Sequence, residues 1–210
     1  MDLITVDHLL TTTRSVRKRL DLTRPVEPEI IQQCIDIALQ APVGGFGFSP
    51  YHFMVVTDPV KRASIAKLYN RVIDDSNGRT RDTNNPLEAR IFESVMYLAD
   101  HLHEVPVFII PCIEGRLENP SPFEQASKYG SILPAAWSLM LALRARGLGA
   151  CWTTLHLNYE AEVSALLGIP EDMTQGVLLP VAYFTGDDFK PAKRLPGHER
   201  TYWDAWGETH

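Results

Sequence analysis

The sequence has few cysteines, and they are not arranged for a disulfide framework or a zinc site. The three cysteines, Cys34, Cys112 and Cys151, are odd in number and lie far apart, with no CxxC pair among them. The chain also lacks a run of 18 apolar residues, so we expect no membrane-spanning helix and no membrane partner. Its N-terminal MDLITVDHLL has no cationic flank followed by an apolar stretch and a cleavage site. We therefore predict a cytoplasmic protein without a secretory signal.

The motifs of several common catalytic classes are also missing. The chain contains neither GxGxxG nor a Walker lysine loop, so the familiar dinucleotide and phosphate loops are not predicted. No serine lies in GxSxG, the nucleophile elbow of many hydrolases. The seven histidines include one i, i+2 pair, His101 and His103, whose side chains would point to different faces of a helix. We therefore predict no metal site.

The overall charge is acidic, with 20 Lys and Arg residues against 26 Asp and Glu residues and a pI near 5.6. A general nucleic-acid-binding protein needs a broad basic face, which this balance does not favour. We therefore expect no nucleic-acid partner. Any local group of cations would instead bind a small anionic molecule.

Two such groups are present, TRSVRKR near the start of the chain and KPAKR near its other end. Arg14, Ser15 and Arg17 offer two guanidiniums and a hydroxyl, which can hold a phosphate or the edge of a heterocycle. The alternative is a solvated, basic helix start that pairs with neighbouring acids. Cations from both chain ends could converge on one phosphate, but spacing alone does not decide this.

Hydrophobic spacing and turn residues predict alternating helices and strands. Helices are expected over residues 27–39, 58–72, 88–102, 123–146 and 160–167, and strands over 51–57, 105–113, 149–155 and 176–185. In the long helix, Pro134 either begins the main part or causes a kink. The polar stretch 74–87 is predicted to be an exposed loop or lid, and residues 190–210 a C-terminal extension. We predict one domain over residues 1–210, with helices around one sheet.

Several stretches, taken in order, resemble the flavin-dependent nitroreductase family. They are TRSVRK, ALQAPVGG, VPVFIIPC, RARGLGACWTTL, LLGIPED, and PVAYFTG followed by KPAKRLP. Each is weak alone, and their order and spacing together carry the resemblance. It implies an α+β fold in which helices flank a central, mainly antiparallel sheet. It also implies an intertwined homodimer with two FMN sites at the subunit interface.

The resemblance further assigns cofactor-binding residues. The family motif that holds the phosphate and the pyrimidine edge of the ring matches Arg14, Ser15 and Arg17. A loop that reaches the flavin from the second subunit matches Pro42, Val43 and Gly44. A segment whose backbone N–H groups face the ring near N5 matches Thr153, Thr154 and Leu155, and a C-terminal phosphate clamp matches Arg194, helped by Lys193. No side chain is expected to be an obligatory acid or base.

One loop departs from the family pattern. Phe46 stands where an amide side chain is common, and Phe48 follows it. The two rings could line a substrate pocket that favours flat, apolar acceptors. Alternatively, the change lowers flavin affinity or alters the usual activity. Packing of Phe46 in a dimer interface is an equally open interpretation.

The resemblance implies an FMN-dependent oxidoreductase. Such an enzyme takes hydride from NADH or NADPH and passes it through flavin N5 to a flat acceptor such as a nitroaromatic or a quinone. Two alternatives stay open. One is a flavoenzyme of the same family with another task, such as dehalogenation, alkene reduction or flavin destruction. The other is a flavin-binding protein without turnover. The sequence does not choose between NADH and NADPH, nor does it name the acceptor.

Overall fold

The structure is a computed structural model, and it describes residues 2–44, 51–76 and 78–209. These residues form six α-helices and five β-strands. The helices are α1 (Leu3–Thr12), α2 (Pro28–Ala38), α3 (Pro59–Asp75), α4 (Pro86–His101), α5 (Pro122–Arg144) and α6 (Glu160–Leu167). The strands are β1 (Tyr51–Val56), β2 (Val107–Glu114), β3 (Leu148–Ala150), β4 (Met173–Gln175) and β5 (Leu179–Tyr183).

Side-chain caps and prolines mark the starts of the longer helices. The Asp58 carboxylate accepts the Lys61 N–H at 2.8 Å before α3, and Pro59 is the first helical residue. At α5, the Ser121 hydroxyl accepts the Glu124 N–H while the Glu124 carboxylate accepts the Ser121 N–H, which is a capping box. Pro134 lies inside this continuous helix, so the interpretation in which the helix begins there is wrong.

The five strands form one sheet in the order β1-β2-β5-β3, and β4 also pairs with β2. Every pairing among these strands is antiparallel, as predicted. The strand predicted over residues 149–155 is too long, because β3 ends at Ala150. Beyond it, Thr153 makes an isolated bridge to Leu178, and a short 3-10 helix begins at Leu155. β4 was not predicted, since three residues carry no detectable periodicity.

The core lies on both faces of the sheet. On one face, α2 and α5 pack against the sheet in a cluster that includes Cys34, Leu139 and Ile109. Phe108 and Ile110 alternate with Ile109 along β2, so their side chains point to the opposite face, and they too are fully buried. This burial on both faces explains why β2 is a continuous apolar run.

The chain divides into two compact units, residues 1–13 with 187–210, and residues 14–186. In the first unit, α1 is joined to the C-terminal extension, since His8 Nε2 lies 2.5 Å from Asp188 Oδ2. The rings of Tyr202 and Trp206 pack in the same extension, with centroids 4.7 Å apart. The single domain over residues 1–210 stays a prediction. None of the helices in the described ranges is long and apolar enough to span a bilayer.

Candidate functional site

The basic N-terminal motif lies along the free edge of β3. Ser15 forms a parallel bridge with Ala150, and the Val16 N–H donates to the Ala150 carbonyl at 2.9 Å. The Trp152 N–H in turn donates to the Ser15 hydroxyl at 3.2 Å. Two of the segments predicted to bind the cofactor are therefore adjacent, although more than 130 residues separate them in the sequence.

A glycine allows this close approach. A Cβ atom at Gly149 would lie 3.0 Å from Val16 Cβ and 3.1 Å from each of its Cγ atoms, which is closer than side-chain carbons normally come. Val16 itself is buried, whereas Arg14, Ser15 and Arg17 are half-buried. Gly149 thus fixes how near the motif comes to β3.

Next to this edge lies a buried thiol. Cys151 is 1% exposed, and burial raises the pKa of its thiol. Arg17 and the Ser15 hydroxyl both act in the opposite direction and lower the pKa of the thiol, which places them beside the sulfur. The thiol therefore stays protonated beside Arg17, and a protonated thiol is a poor nucleophile.

The predicted N5 segment follows immediately. The Thr153 N–H donates to the Leu178 carbonyl at 3.1 Å, so this amide is already used within the sheet. The backbone N–H groups of Thr154, an exposed residue, and Leu155 are left as the candidates for a contact with a ring. The Thr153 hydroxyl donates to the Tyr69 hydroxyl of α3 at 3.1 Å, a contact that sequence analysis missed.

The third predicted segment, residues 42–44, lies at a different part of the sheet. The Tyr51 hydroxyl donates to the Pro42 carbonyl at 3.0 Å, and the Gly44 N–H donates to the Ser131 hydroxyl at 3.0 Å. Val43 is half-buried between them. These contacts anchor the loop to β1 and α5 of its own chain.

The register of the sheet gives the distance between the basic motif and residues 42–44 of the same chain. Ala150 is level with Val181 and Val107, whereas Tyr51 is level with Ile113. Across the sheet, Ser15 and β1 are separated by four strand spacings, which is about 19 Å. Along the strands, the positions of Ala150 and Tyr51 differ by six residues of β2, from Val107 to Ile113, which is about 20 Å. Within one chain, the basic motif and residues 42–44 are too far apart to contact the same flat ring.

An open cavity of about 320 Å³ lies beside Gly44. Its two cations already have partners in the protein. Lys128 Nζ donates to the carbonyls of Glu114 and Gly115, at 2.6 and 2.7 Å, and Arg116 forms a bidentate pair with Glu160 at 2.8 Å. Both cations of this cavity are therefore already engaged in contacts at the end of β2.

The predicted loop or lid connects α3 and α4. Arg79 binds Asp74 at 2.8 Å, Asp100 at 2.6 Å and Asn70 at 2.7 Å, so the first part of the connection is tied to both helices. A movement of this segment as a lid stays a prediction. α4 also approaches the basic motif, because Lys18 Nζ lies 2.6 Å from Glu93 Oε1.

The other predicted residues lie in the first unit or outside the described residues. Lys193 and Arg194 are exposed in the C-terminal extension, where Arg194 donates to the Lys193 carbonyl at 3.3 Å. Their convergence with the N-terminal motif stays a prediction. Phe46 and Phe48 lie outside the described residues, so their role as pocket residues is also untested.

One buried polar residue near the site was not predicted. His156 is fully buried just after Leu155, and neither ring nitrogen has a hydrogen-bond partner among the described residues. Burial lowers its pKa to about 4, although Glu160 acts to raise it, so the ring is neutral at pH 7. No cluster of three or more potential metal ligands occurs in the part of the chain that the structure describes.

Comparison with known proteins identifies the family of this chain. A model of the nitroreductase family matches residues 10–183, most of the chain. The chain belongs to the nitroreductase family. The match includes the basic motif and the GLGACWTT segment that the fold brings together.

Several solved structures share the fold of this chain. Oxidized iodotyrosine deiodinase bound to FMN and 3-iodo-L-tyrosine is 24% identical, with a TM-score of 0.66 over 89% of this chain and 93% of that one. An FMN- and NADPH-dependent nitroreductase variant from sphigopyxis sp. strain HMH is 21% identical, with a TM-score of 0.68 over 95% and 99%. A BluB-like flavoprotein from Clostridium difficile 630 is 19% identical, with a TM-score of 0.67 over 98% and 100%. The fold is therefore that of the nitroreductases.

Proposed function

We propose that this nitroreductase-family protein is an FMN-dependent oxidoreductase that uses NADH or NADPH. The observation that carries the proposal is the pairing of Ser15 and Val16 with Ala150 and Trp152. It joins two segments that the family resemblance assigns independently to the flavin. When bound, FMN supplies the hydride chemistry at N5, from the nicotinamide donor to a flat acceptor such as a nitroaromatic or a quinone.

The residues at the edge of β3 fit such a cofactor. Arg14, Arg17 and Ser15 offer cations and a hydroxyl donor, which suit a phosphate or the electron-rich edge of a ring. Thr154 and Leu155 offer backbone donors that the sheet does not use. In the proposal, positive charge at the pyrimidine edge favours the reduced, anionic ring and so raises its reduction potential. Solvent supplies the protons.

The proposed site needs a second subunit. Because residues 42–44 lie far from the basic motif of their own chain, they can contact the cofactor only from a partner. Exposed apolar side chains on α5 support such a partner, since Phe123 is 79% and Trp137 is 37% exposed. We propose an obligate homodimer with two equivalent sites. A monomer that retains FMN tightly would contradict this part of the proposal.

The direct test is an absorbance spectrum of the purified protein. We expect flavin bands that bleach under anaerobic conditions when NADH or NADPH is added, and that return when a nitroaromatic or a quinone is supplied. A colourless protein that cannot be reconstituted with FMN would overturn the proposal. A protein that binds FMN but is not bleached within seconds by either nucleotide would be a flavin-binding protein without this turnover.

A second candidate is a nitroreductase-family enzyme with another task, such as reductive dehalogenation. It is favoured by the departure at Phe46 and by the similarity to iodotyrosine deiodinase, which covers 89% of this chain. An anaerobic panel of halogenated phenols, activated alkenes and nitroaromatics would separate the candidates. Rapid oxidation of the reduced protein by nitroaromatics alone would exclude this second function.

A further inference from the structure

We propose that Tyr69 is a positioning residue for the cofactor site, because its buried hydroxyl accepts a hydrogen bond from Thr153, the first residue of the predicted N5 segment. This inference rests on the proposed function, since Thr153 belongs to a segment proposed to bind FMN. Nothing in the sequence singles out Tyr69, which lies in α3, far along the chain from either segment.

The geometry is that of a specific contact rather than of general packing. Tyr69 is 2% exposed, and Ile65, Ala66 and Ile73 of the same helix face are also buried. An apolar side chain would satisfy this face of α3, whereas a buried tyrosine hydroxyl needs a hydrogen-bond partner. It has one in the Thr153 hydroxyl, at 3.1 Å.

The charge of Arg17, in the basic motif, also acts on the Tyr69 hydroxyl. Burial raises the pKa of Tyr69, and the hydrogen bond from Thr153 lowers it in part. The Arg17 guanidinium also lowers the pKa of Tyr69, so its charge is close enough to act on the phenol oxygen. One neutral hydroxyl therefore contacts the N5 segment and lies within the electrostatic influence of Arg17, a cation of the basic motif.

The surrounding contacts explain what this hydroxyl does. The Trp152 N–H donates to the Ser15 hydroxyl. The hydroxyl of Thr153 donates to Tyr69, and its backbone N–H donates to the Leu178 carbonyl. These contacts restrain the chain just before Thr154, where the proposed ring contact begins. Without the Tyr69 hydroxyl, the Thr153 hydroxyl loses this hydrogen-bond partner. We expect the Kd for FMN to rise about fivefold, as for the loss of one buried hydrogen bond.

The test compares Tyr69→Phe with a matched control, Tyr183→Phe. The Tyr183 hydroxyl donates to the Glu27 carboxylate at 2.6 Å from a buried position on β5, and neither residue belongs to a proposed cofactor segment. Each apo-dimer is titrated with FMN, and binding is followed by quenching of flavin fluorescence. We expect the fivefold weakening in Tyr69→Phe and less than a twofold change in Tyr183→Phe. Thermal unfolding of both apoproteins measures any general loss of stability.

Variants at Thr153 separate positioning from structural support. Thr153→Val should reproduce the effect of Tyr69→Phe, Thr153→Ser should retain wild-type affinity, and the double variant should bind no more weakly than either single one.

The outcomes are distinct. Unchanged FMN affinity in Tyr69→Phe, or equal losses in Tyr183→Phe, would overturn this inference while leaving the proposed function intact. A wild-type chain that binds no FMN would overturn both.

Discussion

Replacing Gly149 by alanine tests the contact on which the candidate site is built. The new Cβ would lie 3.0–3.1 Å from three side-chain atoms of Val16. One of these atoms is Val16 Cβ, which is attached to the backbone, so rotation of the valine cannot relieve the contact. The chain near Val16 must therefore move away from β3, and the bonds from Val16 to Ala150 and from Trp152 to Ser15 lengthen.

The magnitude follows from the cost of overpacking. An extra methyl in a well-packed site costs about 1–3 kcal/mol. The lower entropy of the unfolded chain offsets about 0.4–1 kcal/mol when glycine becomes alanine. We expect a net loss of about 1–2 kcal/mol in the free energy of unfolding. For a chain of this length, that corresponds to a fall in Tm of roughly 2–8 °C. FMN affinity should fall as well, because Arg14, Ser15 and Arg17 move with Val16.

The assay is urea unfolding of the apoprotein combined with FMN titration. Gly130→Ala is the matched control, since Gly130 lies exposed in α5 and a Cβ there would meet nothing within 4 Å. It should be neutral or stabilising, because alanine favours a helix. Val16→Ala should partly rescue Gly149→Ala, with a coupling energy of about 1 kcal/mol. Unchanged stability and FMN affinity in Gly149→Ala, or strict additivity with Val16→Ala, would mean that the close approach of Val16 to Gly149 does not control the site.

Three further predictions concern charge, acidity and a helix start. Arg14→Ala and Arg194→Ala should each weaken FMN binding about tenfold to a hundredfold. Arg200→Ala, in the same C-terminal extension as Arg194, is the control and should leave FMN binding unchanged. Equal FMN occupancy in all three variants would mean that neither Arg14 nor Arg194 belongs to the site. His156 becomes protonated near pH 6.5 in the unfolded state but only near pH 4 in the folded state. The free energy of unfolding should therefore fall by about 3 kcal/mol as the pH is lowered from 6.5 to 4, and level off below pH 4. Urea unfolding of His156→Phe should lack this part of the pH dependence. Ser121→Ala removes the capping box of α5 and should cost about 1 kcal/mol by urea unfolding, with FMN affinity unchanged in the folded protein.

Local signals were sufficient for most of the secondary structure. Asp58 and Pro59 predict the start of α3, and the apolar run of β2 predicts a buried strand. These signals act within a few residues, so they can be read without knowledge of the partner elements. β4 has no such signal, because its three residues are a strand only through their pairing with β2. The end of β3 depends in the same way on where its partner β5 lies.

For the candidate site, the amino-acid types already define which groups are present: two arginines and a serine in one motif, and a family-like segment at Thr153–Leu155. The packing of the folded chain adds what residue types cannot show, namely that Ser15 lies beside Ala150, that Tyr69 contacts Thr153, and that residues 42–44 lie far from the basic motif of the same chain. Residue type sets which groups can donate, accept or carry charge. Their meeting depends on contacts between distant parts of the chain, which form only when the sheet and its covering helices pack together.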